Sequence, residues 1–401
     1  MLRSTLVRRP LTRSLWILGL LGSALAGGGT PSATLPSPSR ADATMTALTT
    51  GPDGQPVLAW VELSPSGGEV FGHLHAVRWN GGGWTALGGL LNENPVHNAW
   101  QLSAVHGPDG QPWLGWAEDA GTAHVDSYLM SRWNGSSWSD PGLYAVRRNL
   151  SDAGKSRAFT VTTQNQPYLT WTNIYYPGAF AQVVQPFYWQ PGAKVWEEQT
   201  PTLNHTIGKA AFFPAAARGP QGTIYTAWLE GDVAHSDVFV AQLGSGKKWT
   251  YLGGPLNFRP HTYTFAPQLA AGPAGVVAAW LEDQGGVDNL FVKRWTGQRW
   301  ASLGATLNID SRLLAERPNL ALDARGYPLL AWVEGTDAGR NVYAKRWTGN
   351  GWTLLGGGPL NLKAGDARSA SVTVDADGRA VVAWCERSGG TYSVQVKRFA
   401  P

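Results

Sequence analysis

The residues of this chain best equipped to bind or transform something are its histidines, a few aspartates beside them, and one aromatic loop. All eight histidines fall between His73 and His261. His97, His205 and His261 lie in polar stretches that join one apolar run to the next, and the phrase Ala-His-x-Asp occurs twice, as Ala123-His124-Val125-Asp126 and Ala234-His235-Ser236-Asp237. Imidazole and carboxylate together can hold a transition metal or tune a polar pocket. Neither spacing is a strong metal signature, so no metal ligand and no cofactor is assigned, and a metal stays open as the alternative. The run Asn173-Ile174-Tyr175-Tyr176-Pro177-Gly178-Ala179-Phe180 reads as a loop carrying three aromatic rings. Rings on a loop offer flat apolar area at small entropic cost, which suits a sugar face or a protein partner. The candidate ligand-binding residues are Asn173, Tyr175, Tyr176, Phe180, His97, His124, Asp126, His205, His235, Asp237 and His261; no catalytic residue is assigned.

Charge narrows the ligand class. The chain has 401 residues, 32 basic and 28 acidic, but residues 1–26 hold Arg3, Arg8, Arg9 and Arg13 and no acid, so the remainder is formally neutral. A neutral body lacks the basic footprint of a nucleic-acid binder. Those arginines precede an apolar run, Leu15 to Leu21, and small residues ending Ala24-Leu25-Ala26, the pattern of a secretory leader. The run is too short to cross a bilayer. Export and a mature domain of residues 27–401 are expected, with a periplasmic, cell-surface or secreted destination. The single cysteine, Cys385, sits in an apolar run and reads as a small buried hydrophobe.

What positions these residues is a repeat. The phrases LAWVE, LGWAE, LTWTN, TAWLE, AAWLE, LAWVE and VAWCE place Trp60, Trp116, Trp171, Trp228, Trp280, Trp332 and Trp384 at intervals of 56, 55, 57, 52, 52 and 52 residues. Each unit reads as four short strands, which makes a β-propeller blade. Asp53-Gly54, Asp109-Gly110, Asp377-Gly378, Asn80-Gly81 and Asn134-Gly135 supply the positive φ of tight hairpins. The length variation sits between the second and third strands of the first three repeats. The expected fold is all-β, a seven-bladed propeller of four-stranded antiparallel blades. The last repeat stops at Phe399 without a fourth strand, while residues 33–48 match residues 305–320 at Ala33, Thr34, Leu35, Ser39, Arg40, Ala43 and Leu48. The N-terminal segment, residues 27–43, is therefore expected to complete the last blade and close the ring, removing an exposed edge. A closed ring needs no partner to hide an edge, and a monomer is expected.

Recurrent residues are read as fold. Glu62, Glu118, Glu230, Glu282, Glu334 and Glu386 stand two residues after six of the seven tryptophans, with Asn173 in the remaining place. Arg78, Arg132, Arg294, Arg346 and Arg398 recur in the next strand, so cross-strand pairing or loop anchoring is expected of the glutamates. Asn92, Asn204, Asn257, Asn308 and Asn361 read as turn residues. Asp375-Ala376-Asp377-Gly378 matches the start of a calcium loop without the downstream acids and reads as a tight turn.

The repeat markers resemble those of bacterial secreted seven-bladed propellers, and Arg132-Trp133-Asn134-Gly135-Ser136-Ser137-Trp138-Ser139 looks like the corresponding hairpin of fucose-binding propeller lectins. Asn80-Gly81-Gly82-Gly83-Trp84 resembles a degenerate sialidase Asp-box without its aspartate. The leader, the elaborated sector of the ring and the aromatic loop point to an exported binding module for a carbohydrate or cell-envelope polymer, with ligands taken on one propeller face. A protein-docking scaffold and a sialidase-like hydrolase are the alternatives. For the hydrolase, Arg157, Arg317 and Arg368 stand near the starts of first strands that line the central channel, with Tyr175 or Tyr176 as nucleophile, but no unique acid accompanies them.

Overall fold

The computed structural model describes residues 33–35, 41–66, 69–119, 127–147, 156–175, 181–232, 234–244, 247–260, 262–363 and 365–401. They form seven four-stranded antiparallel sheets. Six are built in chain order; the seventh takes its outer strand, Ala33–Thr34, from the other end of the chain. First strands contact one another in succession, and that of blade 7, Ala367–Val374, contacts that of blade 1, Ala43–Thr50, closing the ring. Among the described residues no helix is long and apolar enough to cross a membrane.

No single core holds the ring together. Seven apolar clusters do, one per gap between blades, and a repeat tryptophan reaches across each gap. Trp384 of blade 7 packs with Leu329, Val333 and Val342 of blade 6, and Trp60 of blade 1 packs with Val381, Ala383 and Val394 of blade 7. Trp116, Trp228, Trp280, Trp332 and Trp384 are fully buried. A tryptophan is the side chain that can fill so wide a gap from one strand, and each such burial contributes on the order of 3 kcal/mol. Cys385 lies in the blade 7–blade 1 cluster; burial pushes its thiol up to about 12, so it is inert near neutral pH.

Of the two roles expected of the recurrent glutamates, loop anchoring is the one seen, and among the described residues Glu118, Glu230, Glu282, Glu334 and Glu386 are bonded to the connections rather than to the recurrent arginines. Each Glu carboxylate accepts the indole N–H of the tryptophan two residues before it, at 2.8 to 3.3 Å. Glu118, Glu230, Glu282, Glu334 and Glu386 each also accept two consecutive backbone N–H groups of the connection arriving from the preceding blade. Glu282 takes those of Phe258 (2.8 Å) and Arg259 (2.7 Å), and Glu386 takes those of Leu362 (3.0 Å) and Lys363 (2.6 Å). The recurrent asparagines are the other half of this latch rather than turn residues. Asn257 accepts from the Val238 N–H (2.9 Å) and donates to the Ser236 carbonyl (2.9 Å), docking the same connection on the blade it leaves. Asn92, Asn204, Asn308 and Asn361 accept in the same way from Leu74, Val184, Leu290 and Val342. The arginines sit at the other end of the strands, where Arg78, Arg132 and Arg398 pair with the turn aspartates Asp53, Asp109 and Asp375. Blade 2 also departs from expectation. Its fourth strand is Val146–Arg147, because after the Trp133–Trp138 bridge Asp140 caps a 3-10 turn, Pro141–Tyr144, that delays re-entry into the sheet.

Ring closure rests on a short seam. Ala33 and Thr34 pair with Val396 and Gln395, the Leu35 N–H donates to the Val394 carbonyl (3.0 Å), and the Leu35 side chain is buried. Inside the ring, Thr46 exchanges hydrogen bonds with Ser369 and Ser371. On the opposite face the Ala376 N–H donates to Gly54 (2.9 Å), whose φ of 68° and close approach to Ala376 leave no room for a side chain. Removing residues 27–35 is expected to lower the melting temperature by a few degrees, through loss of the Leu35 burial and the outer strand. Calorimetry checks this; an unchanged transition would mean that the inner seam alone closes the ring.

Candidate functional site

The second-to-third-strand hairpins and the blade-to-blade connections open on one face, called here the top. The described histidines on it are held separately. His97 lies 3.5 Å from Glu118 and 3.2 Å from the Asn94 amide. His205 stacks on Phe239, with centroids 4.5 Å apart, and meets the edge of Tyr251. His235 sits in an exposed turn beside Asp232, whose carboxylate accepts its backbone N–H. Asp237 stands in the ladder opposite Glu230, whereas in blade 2 Ser127 holds the place opposite Glu118. Asn173 and Tyr175 are ladder residues opposite Val183 and Ala181, so the strand runs through the first three residues of the expected loop. His124, Asp126, Tyr176, Phe180 and His261 lie outside the described residues, as does the Tyr175 side chain. No group of three or more His, Cys, Asp or Glu among the described residues is set to hold a metal.

A cavity of about 360 Å³ opens on the top face between blades 6 and 7. Its chemistry comes from Glu316, Arg317, Arg340, Asp366, Arg368 and Tyr392. The backbone explains how so many charges reach one place. In a regular strand consecutive side chains point to opposite faces. The first strand of blade 6, Leu314–Leu322, breaks its register between Glu316 and Asn319, with Arg317 at φ 48°. Blade 7 does the same between Arg368 and Ala370, with Ser369 at φ 51°. Each bulge turns two neighbours, Glu316 with Arg317 and Arg368 with Ser369, into the same cavity. Bulges with positive φ recur at Gln101, Phe213 and Ala266, so the device belongs to the fold and the side chain on it to the blade.

Most of these charges are already engaged. Arg340 donates to Glu316 (2.9 Å) and to Asp337 (3.1 Å). The Tyr392 phenol donates to Asp366 (2.8 Å), and the Arg368 guanidinium lies 3.6 Å from the centre of the Tyr392 ring while donating to the Ala43 carbonyl (2.8 Å). Burial, then the bond to the Asp366 carboxylate, push the phenol upward, so Tyr392 stays protonated near neutrality. Arg317 is the exception: it is exposed, and it has no hydrogen-bond partner among the described residues. The arginines at 317 and 368 were visible in the sequence; Glu316, Asp337, Arg340, Asp366 and Tyr392 were not singled out.

One gap earlier, Asp288 stands opposite Asp283 in blade 5. Burial first, then Asp283 and Glu316, raise its carboxyl to about 6. A raised carboxyl disfavours the folded state once ionised, so the contribution is absent below the unfolded value near 3.8 and grows as pH rises through about 6. Asp288→Asn is expected to stabilise the protein at pH 8, by only about 1 kcal/mol because the group is half exposed, and to change little at pH 4. Thermal melts at the two pH values check the sign.

No protein-family model matches the sequence, and no curated protein does. Solved structures do match in shape. A protein of unknown function from Dyadobacter fermentans aligns over 94% of this chain and 100% of its own, at 14% identity and a TM-score of 0.51. An ulvan lyase, from a new family of polysaccharide lyase, aligns over 91% and 96% at 11% identity and a TM-score of 0.55. A prolyl endopeptidase aligns over 90% of this chain but 51% of its own, at 12% identity and 0.52. A lyase and a peptidase on one scaffold show that such likeness speaks for the fold and leaves the chemistry to the site. The chain is a seven-bladed β-propeller.

Proposed function

We propose that this is an exported carbohydrate-binding protein that takes an acidic glycan or cell-envelope polymer on its top face, in the cavity between blades 6 and 7. The observation that carries the reading is Arg317, a guanidinium without a hydrogen-bond partner among the described residues, set beside paired charges and one tyrosine. A sugar carboxylate or sulfate matches that fork of donors. Sugar hydroxyls, which both donate and accept, suit walls made of Arg340 with Glu316 and of Tyr392 with Asp366. The neutral body and the leader-like first 26 residues agree with an extracytoplasmic polymer as partner.

A glycan array probed with residues 27–401, with added divalent metal and with chelator, tests this. Binding that includes uronic, sialic or sulfated glycans and is indifferent to chelation is expected. Binding only to neutral glycans, or none, would overturn the acidic-ligand reading. Tyr175, Tyr176 and Phe180 are the competing candidates from the sequence, and the triple serine variant separates the two readings: it is expected to bind as the parent does.

A further inference from the structure

We propose a second glycan-binding surface, on the top rim of blades 4 and 5, where His205 and Phe258 each lay a ring over a buried ring and turn the other face to solvent. Both residues directly follow a latch asparagine, Asn204 or Asn257, and both give their own backbone N–H to the latch glutamate, at 2.6 Å for His205 and 2.8 Å for Phe258. The backbone beneath each ring is therefore fixed. The rings are fixed too. His205 lies 14° from parallel with Phe239, which continues to Trp228 at 6.0 Å. Phe258 lies 15° from parallel with Phe291 at 4.8 Å, and Phe291 continues to Trp280 at 6.1 Å. Two three-ring columns thus rise through consecutive blades and end at the surface. Phe258 is 47% exposed, what remains when one face of a ring is covered, and Tyr251, against the edge of His205, is 38% exposed.

A ring held this way gives up little rotamer freedom when something lands on it. Its negative π face attracts the weakly positive C–H groups of a pyranose face. The two faces are single rings with Thr206 and Arg259 beside them in sequence, far short of the roughly 800 Å² per partner of a protein interface. A glycan chain presents such discrete faces at regular intervals. The equivalent place in two successive repeats puts the rings on adjacent blades, where a chain long enough to span them makes its second contact intramolecularly. This surface calls for no charge on the sugar and lies on other blades than the cavity lined by Arg317.

The test is affinity electrophoresis of residues 27–401 in gels holding a neutral polysaccharide (hydroxyethylcellulose or galactomannan) or polygalacturonate. At least one neutral polymer is expected to retard the protein. His205→Ser with Phe258→Ser is expected to weaken that retardation about tenfold or more, and Phe258→Tyr to preserve it. Retardation by neutral polymers that survives the double substitution, or its absence in the parent, overturns the proposal. Truncating the rings leaves the backbone latch in place; should the double variant still melt early, Phe258→Ser alone is read against Phe258→Tyr.

Discussion

Arg317→Ala is expected to weaken binding of an acidic glycan by about 10- to 100-fold while leaving the melting temperature within a degree or so of the parent. The binding loss follows from removing a charge-assisted hydrogen bond, worth about 1.5–3 kcal/mol. The unchanged stability follows from what Arg317 lacks: among the described residues it has no hydrogen-bond partner to lose, and its side chain is exposed. Arg317→Gly separates binding from strain, because glycine adopts the φ of 48° without penalty. That variant is expected to bind as poorly as alanine and to be no less stable. Titration calorimetry with the tightest acidic glycan from the array gives one readout and thermal melts the other. Full affinity in both variants would move the site away from blades 6 and 7.

The largest stability effect is expected from Glu334→Gln. Glu334 is 1% exposed and accepts three N–H groups, from Trp332 (2.8 Å), Ile309 (2.9 Å) and Asp310 (2.8 Å). Glutamine of the same size turns an amide donor toward at least one of those donors, so a buried N–H is left unsatisfied and the charge assistance goes. A cost of about 2–4 kcal/mol is expected. The comparison is Glu316→Gln, which breaks the partly exposed pair with Arg340 and is expected to cost less than about 1 kcal/mol. Denaturant melts of the two variants decide it. Equal effects would mean that the latch is a geometric coincidence rather than what ties blade 5 to blade 6.

The ring was legible because its determinants are local and periodic. One tryptophan per unit sets the spacing, and an Asp-Gly or Asn-Gly pair marks many of the turns. The partners of the glutamates were not legible. Charge logic joins Glu334 to Arg346 on the next strand, but in the ladder Glu334 faces Asn341 while Arg346 faces Leu329. Five residues of a strand separate the two, roughly 16 Å, so they sit at opposite ends of the blade. The carboxylate finds backbone N–H groups in a connection some 25 residues earlier, which no pairing rule within the strands can name. The cavity was half legible: Arg317 and Arg368 could be placed near the channel by counting. The bulges that bring Glu316 and Ser369 alongside could not, since the positive φ falls on Gln101, Phe213, Ala266, Arg317 and Ser369, five unlike residues with no common side-chain signal. The position that begins the third strand tells the same story. Gln182, Ser236, Asp288, Arg340 and Tyr392 hold it in blades 3 to 7, and their variety is visible only once the blades are superposed.

The bulges also bear on how such a chain can change. Because the kink recurs in at least five blades whatever residue occupies it, the backbone does not depend on that residue's identity. At Phe213 and Arg317, which are exposed, a new side chain meets solvent and leaves the tryptophans and latches untouched, whereas Ala266 packs against the blade 5–blade 6 cluster and Ser369 belongs to the inner seam with Thr46. Where the kink carries an exposed residue, as at Phe213 and Arg317, the top face therefore offers a position that can change its chemistry without a change in the frame beneath it.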